Sequence, residues 1–400
     1  MRHYCLLLIL LLPVLAKAAP YAELNIYLDA DQTGAASSGK SIYQGISLAL
    51  ARHHHQIQDI PLKVLSKDHR GNSRRSKAHL QAFLNDPQGL AVVSGLHSPP
   101  LLANKEFINQ NGILTLNPWA AAGPITRRGH NSADDERWIF RLSIDDSKAG
   151  EVIAESALQE GFSAPFLLLE DTGWGRSNNK TMMLSLKNKG VEAVGIHWFH
   201  WGLSEESARI ILRDISLSGA DVIFMVANAP EGKTISRALL SLPPEQRLPL
   251  RSHWGITGGD FAESIGKEGL ANLDLQFIQT RFSFTGPQTR YSKQVFDEAQ
   301  RYFEEIHNEN DIKAASGFIH GFDLMNLFLT SAESITFTGD IAQDRRRIRD
   351  AMYQLKQPLP GLIKTYQLPF SKEGWDGHEA LDKSDYTMGY FTPSGTIKLK

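Results

Sequence analysis

The chain has 400 residues, length for about two domains, and its 42% hydrophobic and 22% charged content is ordinary for a globular protein. Its 42 basic residues are offset by 44 acidic ones, which argues against nucleic acid as the main partner, and no long charge run marks a polybasic membrane patch. The one cysteine, Cys5, sits in an N-terminal apolar run, so a processed chain would have neither a disulfide nor a thiol nucleophile.

Arg2, the apolar run over 6–15 and Ala16-Lys17-Ala18 have the make-up of a cleavable signal peptide over residues 1–18. A membrane anchor is the other reading, but about ten apolar residues cannot cross roughly 30 Å of hydrocarbon. The mature chain is therefore expected in the periplasm. Residues 23–30 read as a buried strand, 31–39 as a polar loop and 43–54 as a helix with Ile46 and Leu50 on one face. A strand over 62–65 and a helix over 76–84 follow.

The stretch 91–129 organises the chain. Ala91-Val92-Val93 is a buried strand ending in Ser94-Gly95. Ser98 is placed to cap the next helix, and Pro99 and Pro100 suit its first turn, where their missing N–H groups have no partner anyway. A strand over 113–116 ends in Asn117-Pro118-Trp119. Strand, loop, helix N-terminus and strand make half of a doubly wound sheet, whose ligands sit beyond the carboxyl ends of its strands. Ser98 and the amides behind it face that edge and could hold an anionic group.

After a strand over 138–142 the pattern restarts. Asp145-Asp146-Ser147 caps a helix with Ala149, Val152, Ile153 and Ala157 on one face. Strands are expected over 166–169, 191–199, 221–226, 248–254 and 275–280. Helices alternate with them over 181–188, 205–217, 234–240 and 261–267, the signature of repeated βαβ units. From about 281 the character changes to long amphipathic helices over 292–307, 314–331 and 344–355. The tail, 389–400, reads as two short strands about Pro393-Ser394-Gly395.

The chemistry is that of binding. The histidine run 53–55 points in three directions, whereas metal ligands on one helix face need a spacing of three or four. Its expected role is exposed, at a helix C-terminus where the dipole favours positive charge. His197, His200 and His253 have no nucleophile motif for company, and Gly173-Trp174-Gly175-Arg176-Ser177 is neither a nucleophile elbow nor a complete dinucleotide fingerprint. No enzyme activity, cofactor or metal is expected. Five loops leave strand ends at one cleft edge, carrying Ser98; Trp119-Ala120-Ala121; Asp171 to Trp174; Asn228-Ala229; and Trp254 to Asp260. Any single tryptophan there could be core, but three at equivalent edges suit the aromatic walls of a small-molecule site.

The sequence VVSGLHSPPLLA…NGILTLNPWAAAGPITRRG resembles the type I periplasmic solute-binding proteins, in their leucine/isoleucine/valine-binding branch. There a ligand-contacting serine follows a strand and glycine, and a strand ending in proline leads to a later threonine and glycine, matched here by Ser98, Pro118, Thr126 and Gly129. The resemblance spans the mature chain and implies an α/β fold of two doubly wound open-sheet lobes with a hinge. It implies chain crossings near 142, 280 and 360, with 20–142 plus 281–360 as the first lobe and 143–280 plus 361–400 as the second. It also implies departures at the site. Trp119 and Ala121 stand where the family offers a threonine hydroxyl, Trp174 where it has an aromatic, usually tyrosine, and Asn228 and Ala229 where it has glycine-tyrosine. Thr257, with Asp260 nearby, stands for the acidic residue that holds the ligand's ammonium.

The ligand contacts so assigned are Ser98, Trp119, Ala120 and Ala121 from the first lobe and Asp171, Trp174, Asn228, Thr257 and Asp260 from the second. The expected function is capture of a small polar or aromatic solute by a monomer that closes about its hinge and delivers to an inner-membrane ABC permease. The alternative is a sensor of the same fold that signals to a membrane receptor.

Overall fold

The computed structural model describes residues 20–128 and 136–400. The expected leader over 1–18, and Gly129, lie outside the described residues. The fold is α/β, as the alternating pattern predicts, and is built on two large sheets.

In the first lobe the chain runs β1 (Leu24–Ala30), α1 (Ala36–Arg52), β2 (Gln56–Ile57), β3 (Ile60–Asp68), α2 (Ser73–Leu84), β4 (Gly89–Ser94), α3 (Ser98–Gln110), β5 (Thr115–Asn117) and β6 (Ile139–Arg141). The sheet order is β2-β3-β1-β4-β5-β6. All seven residues of β1 and all six of β4 are buried, as strands covered by helices on both faces must be. β1 pairs in parallel with β3 on one side and β4 on the other, so the winding reverses between β1 and β4.

The second lobe holds α4 (Asp146–Gln159), β7 (Pro165–Glu170), α5 (Gly173–Asn188), β8 (Gly195–Phe199), α6 (Glu205–Ser216), β9 (Val222–Val226), α7 (Ala229–Leu240), β10 (Leu250–Ser252), α8 (Phe261–Ala271) and β11 (Leu275–Thr280). Then come α9 (Arg290–Tyr302), α10 (Ala315–Glu333), α11 (Ile341–Met352), the small hairpin β12 (Leu359–Pro360) and β13 (Thr365–Tyr366), and finally β14 (Tyr386–Phe391) and β15 (Ile397–Leu399). The second sheet is ordered β15-β14-β11-β10-β9-β7-β8, with β14 and β15 antiparallel at its edge. β7 lies between β8 and β9, and the winding reverses there.

Several elements depart from expectation. α1 starts at Ala36, not 43: the Asp31 carboxylate takes the amides of Thr33 and Gly34 and turns the chain early. α5 starts at Gly173 rather than 181 despite its glycines, with the Thr172 hydroxyl accepting from the Gly175 amide. Only the last part of the expected strand 191–199 joins the sheet. α9 ends at Tyr302, yet Phe303 and Ile306 remain buried in the core. α10 is not one-sided; all but a few of its residues are buried, as in a helix at the centre of a domain. The histidine run ends α1, with His54 and His55 in the left-handed region, at φ 54 for both, and His53 half-buried.

The resemblance put the third crossing near 360, but residues beyond that point still lie on the first lobe. Tyr366 donates to Asp323 of α10 at 2.8 Å, and the His378 ring stacks on Phe140 of β6 at 4.4 Å. Glu379 forms an isolated bridge with Arg141. The passage to β14 comes after these contacts, because a buried cluster holds them: Arg141 meets Glu379 through two hydrogen bonds of 2.7 Å and Asp145 at 2.9 Å, and Arg127 joins both carboxylates.

Candidate functional site

Each sheet presents its reversal point to the other lobe. The residues just beyond these strand ends are Asp31 after β1, His97 after β4, Glu170 ending β7 and Asn228 after β9. Crevices at such points are where open α/β sheets bind ligands. Here Asp31 and His97 face Asn228 across a cavity of about 440 Å3, walled by Asp31, Thr33 to Ser38, Arg70, His97 and Gly71 of the first lobe and by Trp201, Asn228 to Glu231, Lys233 and Asp260 of the second. That size suits a small molecule.

Below it lies an inner void of about 10 Å3, room for about one water. Ser98, Ala121 and Trp119 line it with Glu170, Trp174, Asn228, Trp254 and Gly255. The indoles have filled this space. Trp119 and Trp254, from opposite lobes, lie 5.1 Å apart, Trp254 lies 5.0 Å from His320, and Trp174 sets its edge against His253 at 5.0 Å. Trp119, Trp174 and Trp254 are nearly inaccessible, at 2%, 5% and 1% exposure. Ser98 is the first residue of α3 rather than its cap, and its hydroxyl accepts from the Ala122 amide.

The predicted contacts divide accordingly. Ser98, Trp119, Ala121, Trp174 and Asn228 converge on the inner void, and Asp260 lines the outer cavity while pairing with Lys233 at 2.7 Å. Thr257 lines a separate cavity of about 530 Å3 between α8 and the β14–β15 turn. Ala120 lines none of these three; the Asn117 side chain bonds both its amide and its carbonyl. Asp171 lines none either and pairs with Arg176.

Sequence reasoning passed over Asp31, His97, Glu170, Trp201 and Glu231. Asp31 takes the His97 Nε2–H at 3.0 Å; burial opposes its charge, but this bond and the Gly34 and Thr33 amides hold its pKa below the ordinary carboxylate value. Glu170 is fully buried and accepts from the Thr172 hydroxyl at 2.8 Å and the Asn228 amide group at 3.0 Å. Burial pushes its carboxyl up to about 7, against hydrogen bonds from Thr172 and Trp201 that favour the charge. Leu96, which lines both spaces, sits at φ 76, a conformation disfavoured for leucine and kept where the surroundings enforce it.

Among the described residues no group of histidine, cysteine and carboxylate side chains is placed to hold a metal, and no helix is long and apolar enough to cross a membrane.

The arrangement is a two-lobed cleft with walls from both lobes, and comparison with known proteins agrees. The profile of the periplasmic binding protein family matches residues 27–369, so the chain belongs to that family, whose members are non-enzymatic solute-binding proteins. No curated protein matches the sequence. Among solved structures, a type 1 periplasmic binding protein of Bordetella pertussis Tohama I superposes with a TM-score of 0.80 at 16% identity, over 94% of this chain and 99% of that one. The branched-chain amino acid binding protein LivJ of Streptococcus pneumoniae, in complex with isoleucine, gives 0.74 at 17% identity over 94% and 99%. A solute-binding protein of R. palustris in complex with 4-hydroxybenzoate gives 0.73 at 15% identity over 94% and 95%. These likenesses are of fold; their ligands differ in kind.

Proposed function

We propose that the protein is exported to the periplasm, captures a small organic solute in the interlobe cavity by hinge closure, and hands it to an ABC-type permease. The observation that carries this reading is the meeting of two sheet reversal points across one cavity, with Asp31 and His97 on one side and Asn228 on the other, and Glu170 on the inner void beneath. Solute-binding relatives with amino acid and benzoate-type ligands support it. Ser98, Trp119, Ala121, Trp174 and Asn228 form the floor of this site, and Asp260 part of its rim. Thr257, Ala120 and Asp171 act on the loops behind it.

The test is a thermal-shift screen of the mature protein against amino acids, amines, amides and aromatic acids. A solute at about 100 times its dissociation constant raises stability by about 2.7 kcal/mol. Its binding should shrink the radius of gyration in solution scattering, and Trp119→Ala should weaken it. If stabilising solutes leave the scattering unchanged and bind Trp119→Ala as tightly as the parent, the cleft is not the site.

A further inference from the structure

The charges around the cavity are unequal. Arg70 and Lys233 line it, but each already meets a carboxylate: Arg70 lies 3.1 Å from Asp68, and Lys233 lies 2.7 Å from Asp260. On the acidic side, Glu231 has no lysine or arginine partner among the described residues, and neither has Glu170, which lines the inner void beneath. Glu231 is 7% exposed and accepts only from the Gly202 amide, at 3.0 Å. Asp31 is matched by a histidine alone. A buried carboxylate without a counter-charge is costly and is ordinarily found paired.

The starts of α1 and α7 also face the cavity and would draw an anion. Their positive ends are already occupied: Asp31 takes the amides ahead of α1, and Glu231 lies in the first turn of α7. At Ser98, the ligand contact that the resemblance implies, the void has room for about one water.

Two further features face the open space. His97, which lines the cavity, gives its Nε2–H to Asp31, and its buried Nδ1 has no hydrogen-bond partner. With Nε2 protonated, a neutral imidazole offers Nδ1 as an acceptor for an N–H. Trp201 leans over His97 at 5.6 Å and is 45% exposed in a protein that buries its other cleft indoles. An indole face beside carboxylates attracts a cation.

We propose that the cavity takes an organic ammonium ion, with Glu231 and Asp31 as counter-charges, His97 Nδ1 as an N–H acceptor and Trp201 as the aromatic wall. This rests on the solute-binding reading above and narrows its ligand class from amino acids and aromatic acids to amines that lack a carboxylate. Ligand entry supplies the positive charge that Glu231 lacks.

The test uses titration calorimetry of the mature protein at pH 8 with benzylamine and 1,4-diaminobutane, beside benzyl alcohol and benzoate as neutral and anionic counterparts. An amine should bind and compact the protein in solution scattering. Glu231→Gln and Asp31→Asn should each weaken it by about tenfold or more, the size of a lost charge-assisted hydrogen bond. Melting curves of the free variants establish that both fold, and asparagine at 31 keeps an oxygen for the Thr33 and Gly34 amides. Benzoate or benzyl alcohol binding with compaction, while amines do not bind, overturns the ammonium assignment and leaves the solute-binding reading standing. Amine binding that neither carboxylate variant weakens also overturns it. No heat and no compaction with any of the four probes, or with the wider solute screen, overturns both.

Discussion

Arg141 shows most plainly how single residues hold this molecule together. It is fully buried, bonds Glu379 through two hydrogen bonds and meets Asp145, so the strand leaving the first lobe is tied to the segment returning toward the second. The charge of the two buried carboxylates keeps its guanidinium protonated against the cost of burial. Arg141→Ala should destabilise the protein by about 3–5 kcal/mol, since two buried carboxylates lose their main partner. Urea unfolding measures this, and a loss under about 1 kcal/mol would mean that Arg127 and water replace it. At this scale the sequence was partly legible. Ser98, Trp119, Trp174 and Asn228 stand at strand ends that local pattern reveals, and the structure gathers them. Glu170 and Asp31 also stand at strand ends, but an acidic residue after a strand is commonplace. Only folding shows that Asp31 lines the outer cavity, that Glu170 lines the void beneath it, and that neither has a lysine or arginine partner among the described residues.

At the scale of elements, α1 and α10 approach each other closely. A Cβ on Gly45 of α1 would lie 2.2 Å from the Phe318 carbonyl oxygen, and one on Gly317 would lie 2.9 Å from the Trp119 ring. Both glycines are needed for this approach, which seats Trp119 beside α10 at the floor of the cleft. Gly45→Ala should force the helices apart and cost about 1–3 kcal/mol, the usual range for overpacking a core. A chemical melt reads the loss. Retention of full stability would show that the helices can slide without strain. Caps such as Asp145 for α4 were legible, because the side chain accepts its bond from an amide two residues on. The early starts of α1 and α5 were not, since they rest on contacts that override weak local propensity.

At the scale of the whole molecule, His320 stands where the lobes join. Its Nδ1–H donates to the Pro118 carbonyl of the first lobe at 3.2 Å, its Nε2 accepts from Thr280 at the end of β11 at 3.1 Å, and its ring faces Trp254 of the second lobe. Full burial lowers its pKa to about 3 from 6.5. The folded protein thus holds this histidine neutral, and its contribution to stability is complete above 6.5 and is lost as pH falls toward 3. The shift is worth on the order of 5 kcal/mol across that window. Melting temperature should therefore fall steeply on acidification, and less steeply in His320→Asn. Equal slopes in the two proteins would show that carboxylates such as Asp145 govern acid unfolding instead.

The sequence by itself determined the two α/β lobes, because hydrophobic periodicity and turn residues act locally and alternate strand with helix along the chain. It also determined the absence of the common nucleophile and phosphate-loop motifs and the aromatic character of the cleft edge. The tertiary structure decided which strand ends meet, where the chain returns to the second lobe, and that the tryptophans close over the inner void. Those outcomes depend on packing between segments more than a hundred residues apart, such as Trp119 on Trp254 or Arg141 on Glu379. Local pattern carries no information about such distant pairs, and burial, which sets the charge balance of the cleft, exists only once they have met.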